Sequence, residues 1–242
     1  MEEQIPNVIW WERQASFKDS PPPIFAQSID LHKNFVIINE ISKIPKEKRR
    51  NYILLFYSDE KFFNAYYTRL QSNPRYLATL EEFYAVSGLD FSTYPNIDES
   101  VNIESIKKNR RFCTYCQKND ILCIYNAVWT SQKTFQVAFD NIQAGATIIL
   151  STYRIKSDHD EVFEAGYEYL KTRCKPKTII CYGKPQLCMR EDLKTNLVHL
   201  IPTRFKLMKA EMLERTIPFI LIKEAGYGLT GADAKNGRIY TL

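Results

Sequence analysis

Ile121–Thr130 reads ILCIYNAVWT. Ile121-Leu122-Cys123-Ile124-Tyr125 is an unbroken apolar run, and the second half turns polar at Asn126 and Thr130, with Trp129 close by. Helical patterns lie on both sides. A strand buried on both faces reads as a continuous apolar run rather than an alternation. Its polar groups then collect at one end. The stretch predicts one stave of a parallel sheet, with chemistry at its carboxyl end.

Working upstream, Glu99–Lys118 is a predicted helix and Tyr94–Asp98 a loop around Pro95. Val86–Thr93 (VSGLDFST) is a short strand carrying Asp90. Asn51–Asp59 (NYILLFYSD) is a strand rich in apolar and aromatic residues. A helix over Glu60–Gln71 follows, with Phe62, Phe63, Tyr66, Tyr67 and Leu70 at helical spacing. Asn73-Pro74 breaks it, and Pro74 suits the first turn of a second helix ending near Ala85. Phe35–Ile41 (FVIINEI) is a shorter strand candidate. Residues 1–34 are irregular. Pro21-Pro22-Pro23 favours an extended segment there, an arm over the fold with Trp10, Trp11 and Phe17 as candidate anchors.

Downstream the alternation continues. Ser131–Asn141 is helical, Ala146–Thr152 a strand, Asp158–Arg173 a helix and Thr178–Gly183 a strand. After a poorly patterned stretch from Pro185 to Thr195 come a strand at Leu197–Pro202, a helix at Phe205–Arg215 and a last strand candidate at Pro218–Lys223. Such alternation over short connections predicts an α/β protein with a mainly parallel sheet. The regular spacing favours an irregular (β/α) barrel, with an open doubly wound sheet as the alternative. The expected plan is an arm over 1–34, one α/β domain over 35–223 and a Gly-rich tail over 224–242.

With 45% hydrophobic residues in 242, the chain can bury a substantial core. No apolar run is long enough to span a membrane and the acidic start lacks a signal-peptide pattern, so a cytoplasmic setting is expected. The six cysteines are then expected as reduced thiols. The net charge of +5 is uneven: 11 basic and 14 acidic residues in 1–100, against 22 and 14 in 101–242. Residues 171–215 hold 11 basic and four acidic residues. Such a surface can attract nucleic acid or phosphate, although a solvated lysine-rich face is the commoner reason for such a bias.

NYILLFYSDEKFF, GLDFSTY, ILCIYNAVWT, VAFDNIQAGATIILST and KPKTIICYG occur in this order. Over about residues 50–184 the series resembles a family associated with phages and plasmids, domain of unknown function 4417. The positions that match its motifs are Asp59, Asp90, Phe91, Ser92, Tyr94, Asn126, Trp129, Phe139, Asp140, Tyr182 and Gly183. Glu60, Leu89, Tyr125 and Val128 depart from them. The resemblance implies a mobile-element setting, in a bacterial host, and no established activity.

Ligands of parallel α/β folds bind at the carboxyl ends of the strands. Those ends supply Asp59, Asp90, Ser92, Asn126, Trp129, Ser151, Thr152, Arg154 and Tyr182. Asp59 and Asp90 are the candidate catalytic pair, able to act as acid and base or to hold a divalent metal. Asn126, Trp129, Arg154 and Tyr182 are candidate ligand residues, with Arg154 suited to phosphate and Trp129 to stacking on a ring. The plainer reading of Asp59 and Asp90 is that they cap turns. Lys107, Arg110 and Arg111 fall on one side of a helix and are candidate nucleic-acid contacts, against a solvated helix face. Cys113-Thr-Tyr-Cys116 is a CxxC without a second pair, so structural thiols are expected there rather than zinc. His159 after a strand and the glycines from Gly226 to Gly231 are weaker site signals.

Three functions are consistent with these residues: an enzyme-like protein with a strand-end pocket for a phosphorylated or nucleotide-type ligand, a nucleic-acid-binding accessory protein of phage or plasmid replication or maintenance, and a phage protein that blocks a host protein. Only the mobile-element setting speaks for the third.

Overall fold

The computed structural model describes residues 20–153, 155, 160–201 and 203. Its strands are β1 (Asn34–Ile37), β2 (Tyr52–Phe56), β3 (Ala85–Leu89), β4 (Cys123–Asn126), β5 (Thr147–Ser151), β6 (Thr178–Tyr182) and β7 (Val198–Ile201). Its helices are α1 (Asn64–Arg69), α2 (Pro74–Glu81), α3 (Glu99–Lys118), α4 (Gln132–Phe139), α5 (Glu161–Cys174) and α6 (Arg190–Lys194). All seven strands pair parallel, in the order β1-β2-β3-β4-β5-β6-β7. A doubly wound sheet reverses its order at a switch point; this one does not. It is a singly wound α/β sheet, open among the described residues and curled into a half-barrel.

One contact measures the curl. Tyr57, just past β2, stacks on Tyr182 of β6 with ring centroids 4.5 Å apart. In a flat sheet, strands four places apart are separated by about 19 Å. The concave face has therefore folded in on itself, and side chains close its interior. The convex face carries helices: Phe56 packs edge-on against Phe63, Tyr66 and Phe112. Ile53, Leu54, Val86, Ile148, Ile179 and Ile180 are fully buried. That explains why the central strands read as unbroken apolar runs.

Helix starts follow local chemistry. Asp98 caps α3 by accepting from Ser100 N, Asp160 caps α5 by accepting from Phe163 N, and Ser131 with Thr134 forms a capping box on α4. Lys175 closes α5 in the left-handed conformation.

Several boundaries differ from the sequence expectation. The strand expected over Phe35–Ile41 ends at Ile37, and the chain turns into a 3₁₀ helix where Asn39 and Glu40 interrupt the apolar run. The helix expected over Glu60–Gln71 is a 3₁₀ turn followed by α1. The poorly patterned stretch holds a 3₁₀ turn and α6. The strand expected over Val86–Thr93 is β3, starting and ending earlier. Beyond Leu89, side chains of α3 take over the backbone bonds: Phe91 N donates to Asn109 Oδ1 (3.1 Å) and Tyr94 N to Asn102 Oδ1 (2.9 Å). Asp90 therefore lies past the strand end rather than within it.

Within the expected arm, Pro21–Gln27 is strapped across the amino ends of the strands. Ile24 pairs with Ile142, Thr114 Oγ1 donates to Pro23 O, and Gln27 accepts from Cys123 N at the start of β4. Trp10, Trp11, Phe17, the expected helix at 205–215, the strand at 218–223 and the glycine tail lie outside the described residues. No described helix is long and apolar enough to cross a membrane.

Candidate functional site

The carboxyl ends of β1 to β6 open into one cleft of about 800 Å³, within the usual range for ligand pockets. The strand ends contribute Ile37, Tyr57, Asp90, Ala127, Ser151 and Tyr182.

Asn126 organises the floor. Its position at the end of an apolar strand buries it fully. Its amide must then be satisfied by protein groups. Tyr57 OH donates to Asn126 Oδ1 (2.8 Å), and Asn126 Nδ2 donates to Leu89 O (3.0 Å) and Asp90 Oδ1 (3.1 Å). One side chain thus ties β2, β3 and β4 together and orients the Asp90 carboxylate. Burial and then the Asp90 charge push the Tyr57 phenol well above its ordinary value, so it stays a neutral donor. Ser87 mends a nearby irregularity between β2 and β3: its hydroxyl accepts from Phe56 N and donates to Gly88 O. Gly88 leaves room for this arrangement, since a Cβ there would lie 2.9 Å from Asn126 N.

Asp59, Asp90, Ser92, Ser151, Trp129 and Tyr182 line the same cleft. Asp59 is exposed at the mouth, 3.4 Å from Lys61 Nζ, and its side chain caps no helix. Asp90 is partly buried on the floor. Thr152 is buried against Cys181 and does not line the cleft. Arg154 and His159 lie outside the described residues.

Trp129 is mostly engaged with protein. Its ring stacks on Phe163, tilts against Phe139, and donates from Nε1 to Val162 O (3.1 Å). Gly166 on α5 admits it, because a Cβ there would fall 2.2 Å from Trp129 Nε1. The face expected to stack on a ligand is held by Phe163.

Lys107, Arg110 and Arg111 do not form one exposed face. Arg110 is fully buried, and its guanidinium donates to the carbonyls of Pro22, Ala138 and Asp140 at 2.6–3.0 Å. The buried carbonyls of the strap and the α4–β5 loop need a forked donor, and Arg110 is drawn inward to supply it. Arg111 pairs with Glu104 at 2.6 Å, and Lys107 is half-exposed. In the basic region, Lys171 pairs with Asp192, Arg173 with Asp140 and Lys194 with Glu191.

Cys113, Cys116 and Cys123 are buried together between α3 and β4. Burial, then hydrogen bonding to the other two thiols, raises the Cys123 thiol well above its ordinary value. Among the described residues, no group of three or more His, Cys, Asp or Glu is placed to hold a metal ion.

Tyr57 and Lys108 are among the cleft residues that sequence reasoning misses. Tyr57 shares the inward face of NYILLFY with Ile53 and Leu55, and period-two alternation counted back from the strand end marks it. Lys108 reaches the cleft from α3. Its placement depends on how the helix packs, which local sequence does not reveal.

The family described as Domain of unknown function (DUF4417) matches residues 23–201. A Gene 1 protein of Mycobacterium phage L5 is 29% identical over 142 residues, covering 58% of this chain and 61% of that protein. A Gene 1 protein of Mycobacterium phage D29 is 27% identical over 152 residues, covering 62% and 54%. The chain thus spans less than two thirds of the length of either relative. No solved structure matches.

Proposed function

This chain belongs to the phage-associated DUF4417 family, and on that premise we propose that its strand-end cleft binds a phosphorylated or nucleotide-type ligand. One observation carries the reading: a single cleft of ligand size gathers Asp59, Asp90, Ser92, Lys108 and Ser151 from separate strand ends and from α3. Rigid strands position these groups and the loops beyond leave them accessible. The Asp90 carboxylate is held by Asn126, which favours a fixed role toward a ligand or its metal ion. Magnesium is usually bound by one or two carboxylates together with substrate phosphates. Asp59 and Asp90 are suited to that incomplete type of site, and to acid and base roles once a ligand is bound.

The nucleic-acid reading has less support. Arg110 is buried, and several cations of 171–201 are paired with carboxylates. No described feature bears on the blocking of a host protein.

The test is thermal unfolding of the full chain with nucleoside phosphates and sugar phosphates, with and without magnesium. A ligand at one hundred times its dissociation constant adds about 2.7 kcal/mol of stability, a readily measured shift. Asp90→Asn should reduce the magnesium-dependent part of the shift while leaving the unliganded melting temperature near that of the parent. If no phosphorylated compound shifts unfolding in either condition, the proposal fails.

A further inference from the structure

Five of the large apolar side chains that stand exposed, Phe62, Tyr94, Ile97, Val101 and Tyr153, are all at this cleft. Exposed apolar groups scattered singly carry no meaning, but a cluster around a polar-floored cleft marks a binding surface. Tyr94 is the most informative. Its residue is 47% exposed, yet its backbone is clamped at both ends of one peptide-length reach: Tyr94 N donates to Asn102 Oδ1 (2.9 Å) and Asn102 Nδ2 donates to Tyr94 O (2.8 Å). Asn102 is itself buried. Seven residues along the same helix, buried Asn109 accepts from Phe91 N at the start of the loop. Buried Asn102 in the first turn of α3 and buried Asn109 in its interior, where that residue is not favoured, thus fix the loop 90–94.

The neighbouring stripe of α3 carries Val101, Ser105 and Lys108, all lining the cleft. Lys108 Nζ lies over the rings of Phe91 (5.1 Å) and Tyr67 (5.9 Å). No described carboxylate lies within ion-pair distance of it. Its charge is positioned by aromatic contact and left available to an anion. From Val101 to Lys108 the helix rises about 10 Å, enough to hold a flat ring at one end and a phosphate at the other.

We propose that the wall formed by loop 90–94 and α3 is a nucleoside-phosphate subsite, with Tyr94 stacking on the base and Lys108 pairing with the phosphate. This rests on the phosphorylated-ligand reading of the cleft and narrows it to ligands that carry both a planar ring and a phosphate. The rigid loop keeps the exposed ring in place before the ligand arrives, which lowers the ordering cost of binding.

The experiment is isothermal titration of the full chain with the four common nucleoside monophosphates, the matching nucleosides and ribose 5-phosphate, repeated on Tyr94→Ala and Lys108→Met. Tyr94 is exposed and the methionine preserves the apolar stem over Phe91 and Tyr67, so both variants should unfold at the parent's temperature. At least one nucleotide should bind more tightly than ribose 5-phosphate. Tyr94→Ala should weaken that nucleotide by roughly tenfold, the lower range for loss of one base stack, and leave ribose 5-phosphate unchanged. Lys108→Met should weaken both phosphorylated compounds and spare the nucleoside. If ribose 5-phosphate binds as tightly as the nucleotides and Tyr94→Ala changes nothing, the subsite is overturned while the phosphorylated-ligand reading stands. If no phosphorylated compound binds, that broader reading falls as well. Binding of a single-stranded oligonucleotide with no binding of any mononucleotide overturns the subsite in favour of a polymer partner.

Discussion

The fully buried side chain of Asn126 accepts from Tyr57 and donates to Leu89 and Asp90 beneath the cleft. Removing it leaves a phenol and a carbonyl without partners, and an unpaired buried polar group costs about 1–3 kcal/mol. Asn126→Ala should therefore lower unfolding stability by about 2–4 kcal/mol on that basis, read as a shift in urea midpoint at unchanged slope. A loss below 1 kcal/mol would mean that Tyr57 and Leu89 find other partners, and the floor would not depend on this amide. The same residue illustrates what sequence can show at this scale. Its position past an apolar run was visible, and so was its match to a family motif. Its role as a tie between three strands was not, because Tyr57 and Asp90 reach it only after β2, β3 and β4 align. Trp129 went the other way. An indole at a strand end reads as a stacking platform, but Gly166 on a distant helix allows it to be drawn against α5.

Among the elements, the strap over Pro21–Gln27 and helix α3 depend on one another. Arg110 joins them by donating in several directions at once, to Pro22 O, Ala138 O and Asp140 O, and Tyr125 supports it with its ring 5.2 Å from the guanidinium carbon. A lysine keeps the charge but not the planar fork. Arg110→Lys should cost about 2–3 kcal/mol, the loss of one or two charge-assisted hydrogen bonds. It should also make the segment 20–30 more readily cleaved in limited proteolysis. If cleavage there is unchanged, Thr114 and Gln117 hold the strap by themselves. Helix α3 serves both ends of the sheet: Arg110 and Thr114 hold the strap, while Asn102, Ser105 and Lys108 build the cleft wall. Its span, Glu99–Lys118, was readable from sequence. Which of its cations would be buried was not, since helical spacing groups Lys107, Arg110 and Arg111 by angle alone and only packing shows which angle faces the sheet.

For the whole molecule, the buried thiols set an alkaline limit. Burial pushes Cys174 and Cys181 up to about 12, and the partly buried Cys188 rises to about 11. In the unfolded chain the thiols ionise near their ordinary value of 9.0. Above that pH the native state binds more protons than the unfolded state, so stability falls as pH rises. The contribution is fully present below about pH 9 and is lost progressively toward pH 12, at about 1.4 kcal/mol per pH unit for each thiol kept protonated. The urea midpoint should be level between pH 7 and 8 and fall steadily above 9; equal stability at pH 8 and 10 would show that these thiols are not sealed. The chain by itself determined the class of fold, since alternating apolar runs and amphipathic helices over short loops have few solutions besides a parallel sheet wrapped by helices. It also determined which end of the strands carries polar groups, because those residues follow each apolar run directly. Only the tertiary structure decided that the sheet winds in one direction and curls until Tyr57 meets Tyr182, that Arg110 turns inward, and that Lys108 and Tyr94 stand along one wall of the cleft. These outcomes rest on contacts between residues far apart in sequence, and the packing that decides among them is a property of the assembled core rather than of any local pattern.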